Sequence, residues 1–452
     1  MAESNVVSPI FRWANGWIAD DIFTWIANSY FSSKNIEIRE NSKGISLTKK
    51  LVLDTSVTAS IRVIIKATSN LFIAWWVGWV CYKCDNWTWS AMDTWLNKAR
   101  YSAAIFNGYV YWCHNNALYK CLISDFENND TITPTKVTDL VATVYHPMLV
   151  SMGDLYIWNG EKLSKVDTSN VFSDLFTLEK EWIITELTDL WWAIRVITQS
   201  ELWNSNYYLR DWVSDEPDET VPLIWYVIYQ NQIYNGYPYI VTNRGLWILD
   251  WYKIYPLKKC DDFSHIQNWI WIYNERLVIA WTKWIYSWGA KNKNYSEVLS
   301  YDYELTETNG RITCIYSDWI DLFVAWETTG DTPTYWIDKL SNSAYNTSWE
   351  LITRWYYANS LKEIKDWISA GVGYSVLRNW ESIEIQYSIN WWDFTTLRTI
   401  DKDTQTLESF TEDLFIRERF QYIQFKFILK GSWTTTPSIY AMDFMFNNNV
   451  KR

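Results

Sequence analysis

Short apolar runs separated by polar turns recur along most of the chain. Leu71-Phe-Ile-Ala-Trp-Trp is followed by Trp79-Val-Cys-Tyr-Lys-Cys84. Tyr109-Val-Tyr-Trp-Cys113 precedes Ala117-Leu-Tyr-Lys-Cys121, and Asp154-Leu-Tyr-Ile-Trp-Asn-Gly160 precedes Lys162-Leu-Ser-Lys-Val166. A weaker copy lies at Asn206–Trp212. Clear copies resume at Tyr239–Leu249, Arg276–Tyr286, and Asp321–Trp326 with Tyr335–Ile337. Another β-rich run lies ahead of each copy: Ile61–Ala67, Tyr101–Phe106, His146–Met152, Ile194–Gln199, Trp225–Gln230, Trp269–Asn274 and Arg311–Ser317. Their starts are 40, 45, 48, 31, 44 and 42 residues apart. A period of about 40–45 residues with several short strands per unit predicts a β-propeller. One such unit exposes an apolar face that it cannot bury alone, so units must stack around an axis. The runs predict about seven blades, with six or eight as alternatives.

The ends of the chain follow other rules. Asn35-Ile-Glu-Ile-Arg-Glu-Asn-Ser-Lys-Gly-Ile-Ser-Leu47 is a hairpin pattern, and it is expected to close the ring onto the last blade. Residues 1–34 read as an irregular arm and 35–345 as the propeller. The period stops near residue 346. Glu381–Ile389 and Phe420–Leu429 then alternate apolar and polar positions, as half-buried strands do, and Ser438–Phe444 adds a further strand. Residues 346–452 are therefore expected to form a C-terminal β-sandwich, giving an all-β protein.

Composition changes the reading of the turns. The chain has 34 Trp and 14 Gly in 452 residues, where ordinary usage gives about 7% Gly. Trp follows Asn at Asn86-Trp87, Asn268-Trp269, Asn379-Trp380 and Asn390-Trp391. It follows Asp at Asp211-Trp212, Asp250-Trp251, Asp318-Trp319 and Asp366-Trp367, and doublets occur at Trp75-Trp76, Trp191-Trp192 and Trp391-Trp392. Asn-Gly and Asp-Gly are strong hairpin signals because glycine reaches φ > 0 without steric cost. Trp and Gly together make 48 residues, about 11% of the chain, a normal glycine share for a turn-rich β protein. The pattern predicts a gene whose UGA codons mean glycine and are rendered here as tryptophan. The competing reading is a true Trp-rich surface of the kind that stacks on sugars.

Charge and chemistry then narrow the function. The net charge of −12 disfavours non-specific nucleic-acid binding, which needs basic surface. No apolar run reaches the length of a membrane span, and Met1–Ile10 lacks the pattern of a secretion signal. The cysteines Cys81, Cys84, Cys113, Cys121, Cys260 and Cys314 are expected to stay reduced. Cys81-x-x-Cys84, with Cys113 and Cys121, could complete a four-thiolate zinc site. Positions i and i+3 of a strand face opposite ways, however, which favours small buried residues at repeated blade positions.

The three histidines, His114, His146 and His265, have no ligand spacing. Reading Trp367 as glycine makes Trp367-Ile-Ser369-Ala-Gly371 a formal nucleophile elbow, but that motif needs a strand-to-helix turn. Ser388-Ile-Asn390-Trp-Trp-Asp393 is similar to a structural turn of glycosidase propellers. The acidic Asp211–Thr220 stretch lacks the glycine-containing spacing of a Ca²⁺ loop. No catalytic, cofactor-binding or metal-ligating residue is assigned.

With Trp read as Gly, Trp13-Ala-Asn-Gly-Trp17-Ile-Ala-Asp-Asp becomes a glycine-rich opening ahead of the Asn35–Leu47 hairpin. His146-Pro-Met-Leu-Val with Leu155-Tyr-Ile-Trp-Asn-Gly-Glu-Lys is similar to the third blade of phage propeller proteins. Glu384-Ile-Gln-Tyr-Ser-Ile-Asn-Trp-Trp-Asp-Phe-Thr is similar to the Tyr-Ser-x-Asn-Gly-Gly hairpin of C-terminal modules on virion proteins. In this order the segments resemble tail-associated β-propeller structural proteins of tailed phages, and the likeness covers most of the chain. The resemblance implies a non-enzymatic virion component of the tail or its adaptor, assembled in the host cytoplasm and acting as a rigid docking platform. Its implied partners are other virion or tail proteins, a second copy of itself, or a host-surface glycan. No cofactor, nucleic acid or membrane insertion is implied. A carbohydrate-binding or carbohydrate-hydrolysing propeller is the alternative.

Overall fold

A computed structural model describes residues 4–7, 32–34, 36–37, 46–58, 60–76, 80–85, 88–93, 102–114, 116–129, 131–141, 146–160, 162–177, 182–190, 193–200, 205–210, 219–223, 228–250, 253–259, 270–289, 298–305, 307, 309–310, 311–318, 320–353, 355, 365–405, 411–414, 416 and 418–448. Among these residues, seven antiparallel four-stranded sheets follow one another along the chain. The first sheet runs Ile61–Lys66, Leu71–Trp76, Val80–Asp85, Thr88–Asp93 from first to last strand. The first strands of the seven sheets are Ile61–Lys66, Ala103–Phe106, Met148–Ser151, Trp182–Leu190, Ile228–Tyr234, Ile270–Tyr273 and Gly310–Ser317. Each packs on the next, and the seventh packs on the first. A closed circle of inner strands with sheets radiating from it is a seven-bladed β-propeller, as the repeat predicts. One short helix, Ile123–Asn128, follows the third strand of the second blade.

The apolar runs are continuous because each blade is buried on both faces. Leu71 and Ile73 pack in the core between the first and second blades, while Phe72 and Ala74 pack in the core between the seventh and first. In the second blade, Val110 and Trp112 face one neighbour and Tyr111 and Cys113 the other. Successive side chains on a strand point to opposite faces. A strand sandwiched between two neighbours therefore needs apolar residues at every position.

Side-chain hydrogen bonds join neighbouring blades. The Gln230 amide donates to Ile270 O at 3.3 Å and accepts from Ile270 N at 3.0 Å, clamping the fifth and sixth inner strands. Tyr234 Oη donates to Glu275 O at 2.9 Å, and Tyr111 Oη to Asn170 Oδ1 at 2.8 Å.

The fourth blade corrects the sequence reading. Its inner strand is Trp182–Leu190, and the run at Ile194–Gln199 lies in its second strand, Ala193–Ser200. The weak copy at Asn206–Trp212 falls in the third strand, Ser205–Arg210. The irregular spacings of 48 and 31 residues thus reflect a slip of one strand. The physical reason lies in the inner strand, whose sequence carries Glu186, Thr188 and Asp189 and so lacks a continuous apolar run.

Ring closure also differs from expectation. The seventh sheet comprises Gly310–Ser317, Leu322–Thr328 and Tyr335–Tyr345, with Lys49–Val57 as its outer strand. Within the expected closing hairpin, Ile36–Glu37 pairs with Ser46–Leu47 in a separate two-stranded sheet. Lys49–Val57 has nine residues, with Leu51 and Val57 buried and much of the rest exposed. Its lysines and polar residues are typical of an edge strand, and they hide it from a search for apolar runs.

Contacts divide the chain into two compact units. One comprises Leu53–Lys283 and Glu307–Lys339, and the other Met1–Val52, Trp284–Thr306 and Leu340–Arg452. The second unit contains two five-stranded sheets. One has the order Ser32–Lys34, Ser348–Ile352, Ile423–Lys430, Ser382–Ile389, Thr395–Asp401. The other joins Ser4–Val7, Ile439–Asn448, Lys365–Tyr374 and Thr411–Leu414, with Arg419–Phe420 also on Lys365–Tyr374. The expected irregular arm therefore supplies a strand to each sheet: Ser4–Val7 pairs with Ile439–Asn448, and Ser32–Lys34 with Ser348–Ile352. Ile383, Ile385, Tyr387 and Ile389 share one core with Phe425, Phe427, Val372 and Ile439. That core draws on both sheets, as in a β-sandwich. Along Ser382–Tyr387 and Phe425–Lys430 every second residue is buried and its neighbours less so, which explains the alternation of apolar and polar positions there.

Candidate functional site

Cys81, Cys84, Cys113, Cys121 and Cys314 are buried, reduced thiols. Cys81 and Cys121 pack in the core between the first and second blades. Cys84 lies in the core between the seventh and first, and Cys113 in the core between the second and third. The four candidate zinc ligands are thus divided among three cores, because alternate residues of a strand face opposite neighbours. Burial pushes Cys81, Cys113, Cys121 and Cys314 up to about 12, so they pack as neutral side chains. Among the described residues, no group of three or more His, Cys, Asp or Glu is arranged to hold a metal ion. Cys260 lies outside the described residues.

His146 sits at the entry to the third blade and is 2% exposed. Its Nδ1 lies 2.7 Å from Trp158 O and its Nε2 3.1 Å from Val141 O. A neutral ring has one N–H for these two acceptors. A second proton would satisfy both, but burial opposes the charge and outweighs the two carbonyls, so the His146 pKa is lowered. The unfolded chain then binds a proton that the folded protein resists. Stability is expected to fall as pH drops below the ordinary histidine value of about 6.5. Urea midpoints measured at about pH 7.5 and about pH 5.5 check this. His146→Asn should flatten that part of the profile; an unchanged slope in the variant would assign it to other groups.

The remaining candidates are dispersed. Ser369 lies within the strand Lys365–Tyr374, just after a register shift between Trp367 and Ser369, and not at a strand-to-helix turn. Ser388 donates to Trp392 O, and Asn390 Oδ1 accepts from Gln421 N at 2.8 Å, so this turn is structural within the sandwich. Glu219 and Thr220 begin the outer strand of the fourth blade; residues 211–218 and His265 lie outside the described residues. His114 ends the second strand of the second blade.

Two features escaped the sequence reading. The first is a charged seam where the seventh blade meets the first. Lys66 Nζ forms an ion pair with Asp318 Oδ2, whose side chain is 5% exposed. Asp318 Oδ1 accepts from Asp321 N at 2.8 Å and Ile320 N at 3.2 Å. Asp321 in turn pairs with Lys339 at 2.8 Å. Burial alone would raise the Asp318 pKa, but the Lys66 ammonium and the two amides prevail and hold it below the usual carboxylate range. The signal was the Asp-x-x-Asp turn, whose partner Lys66 is remote in sequence.

The second feature is an aromatic surface on the sandwich. Trp391 lies 4.4 Å from Trp355 and 5.8 Å from Tyr422 between ring centroids. Trp392, beside Trp391 in the turn, is exposed; Trp380 is exposed too, but at the other end of Ser382–Ile389. Thr395–Asp401, the outer strand of its sheet, leads away from this turn.

No protein-family model matches the chain, and no curated protein matches it in sequence. Among solved structures, the WD40 β-propeller domain of Doa1 aligns with 65% of this chain and 98% of its own length, at 9% identity and a TM-score of 0.46. YCF48, solved bound to a D1 peptide, aligns with 67% of this chain and 96% of its own length, at 10% identity and a TM-score of 0.45. The extracellular domain of the putative hybrid two-component system BT4673 from B. thetaiotaomicron aligns with 66% of this chain at 12% identity and a TM-score of 0.46. This chain spans 40% of that structure's length. At these identities the likeness concerns fold alone, and the sheet order and closed inner circle by themselves make this chain a β-propeller.

Proposed function

We propose that the protein is a non-enzymatic structural component of a phage virion, placed in the tail or its adaptor. The observation that carries this reading is the use of N-terminal strands at sheet edges. Lys49–Val57 closes the propeller, and Ser4–Val7 and Ser32–Lys34 extend the two sandwich sheets. Pairing strands remote in sequence restricts independent opening of the sheets, which suits a rigid platform. The outer blade strands and Thr395–Asp401 end their sheets, leaving backbone groups that can pair with another subunit. The resemblance to tail-associated propellers supports the same assignment.

Mass spectrometry of purified particles tests it. The protein should copurify with capsid and tail proteins, and antibody should decorate the tail in electron micrographs. Recovery only as free protein outside particles would remove the assignment.

The aromatic surface favours a second reading, a carbohydrate-binding module, because exposed rings stack on sugars. Glycan-array binding that is lost on Trp392→Ala would support it; the absence of binding at every glycan would count against it.

A further inference from the structure

We infer that Trp380 and Trp391 occupy glycine positions, and that the cell making this protein decodes their UGA codons with a glycine tRNA. The inference begins from backbone geometry. Trp392 N donates to Ile389 O at 3.0 Å, closing a β-turn whose central residues are Asn390 at φ 48° and Trp391 at φ 71°. The blade turns Asn107-Gly108, Met152-Gly153 and Asn235-Gly236 have φ pairs of 48° and 79°, 47° and 86°, and 50° and 83°. Position 391 thus takes the place that glycine fills three times in the same chain. Glu381 N likewise donates to Arg378 O at 3.1 Å, leaving Trp380 as the third residue of its turn, at φ 72°. Two positive angles in a row define a type I′ turn, and a positive angle at the third residue requires glycine or asparagine in type II.

Packing offers no compensation at Trp380, which is 86% exposed. An L-residue in the left-handed region costs about 1–2 kcal/mol. Glu275 at φ 59° shows that one such turn carries a side chain, so a single angle would not assign glycine.

Trp87, Trp191, Trp192, Trp212, Trp251, Trp269 and Trp319 lie outside the described residues, and Trp367 lies in a strand.

Other tryptophans belong to a different class. Trp112, Trp158, Trp288 and Trp349 are fully buried in strands, so the reading of tryptophan as turn glycine does not extend to them. The inference is therefore confined to turn positions. The resemblance behind the virion reading is seen with Trp read as Gly, so failure of the inference would remove that support, while recovery of the protein in particles tests the virion reading separately. Success of the inference would remove Trp391 from the proposed sugar platform.

The decisive measurement is tandem mass spectrometry of the protein isolated from the organism that makes it. Cleavage after Arg378 and Arg398 releases one peptide containing positions 380 and 391. Glycine at both positions, encoded by UGA, is expected; tryptophan or UGG at either overturns the inference. A stability measurement on the full chain as written provides a second readout. Trp380→Gly should raise the melting midpoint by about 2–4 °C, and Trp391→Gly by less, because it also gives up ring contacts with Trp355 and Tyr422. Trp391→Ala should gain less, because it retains a Cβ at positive φ. Trp288→Gly, which empties a core position, should lower the midpoint. Loss of stability in both turn variants would also overturn the inference.

Discussion

Phe72→Ala is expected to destabilise the propeller by about 3–5 kcal/mol, the usual cost of emptying a fully buried aromatic site. Phe72 is 0% exposed and lies in the core between the seventh and first blades. Its ring is 4.8 Å from Phe323 and 6.2 Å from Tyr316, both on the seventh blade. The substitution therefore removes apolar contact at the join where the ring closes, in addition to leaving a void. Urea denaturation followed by fluorescence measures the loss. A change below about 1 kcal/mol would show that the seam does not contribute to the cooperative unit.

Asp318→Ala is expected to cost about 2–4 kcal/mol, because it strands Lys66 and removes the acceptor of two backbone amides. Lys66 retains access to solvent, with a side chain 26% exposed, so the upper range for a fully buried pair does not apply. A double-mutant cycle with Lys66→Met isolates the pair from the turn. Additive losses would mean that the carboxylate acts through the turn alone. The pH dependence has a defined sign. The folded-state pKa of Asp318 is lowered, so its contribution is complete above the unfolded value of about 3.9. It declines as pH falls through the folded value. The variant should lose that acid-side slope, whereas the histidine effect at higher pH should persist.

Particular strands show how much of this architecture was legible. Leu71-Phe-Ile-Ala reads as a buried strand because both faces meet apolar neighbours, and Ile423–Lys430 reads as a half-buried one because only one face does. Asn107-Gly108 and Asn235-Gly236 mark hairpins through chemistry contained in two residues. The fourth blade was misphased because its inner strand, Trp182–Leu190, carries Glu186, Thr188 and Asp189 among its apolar residues. The Cys81 and Cys84 pair was legible as packing, since strand geometry alone sends them to separate cores. The Lys66–Asp318 seam was not legible, because nothing near Lys66 signals an acidic partner from the last blade.

The chain's local pattern by itself determined an all-β protein, a repeat of stacked blades and a C-terminal module of alternating strands. These properties follow from residues adjacent in sequence, whose periodicity records whether one face or two must be buried. Tertiary structure alone decided that Lys49–Val57 closes the ring, that Ser4–Val7 and Ser32–Lys34 extend the sandwich sheets, and which cores receive the cysteines. Those choices depend on edge hydrogen bonds and side-chain fit between segments far apart in the chain. A polar edge strand carries no local mark of the partner it will meet.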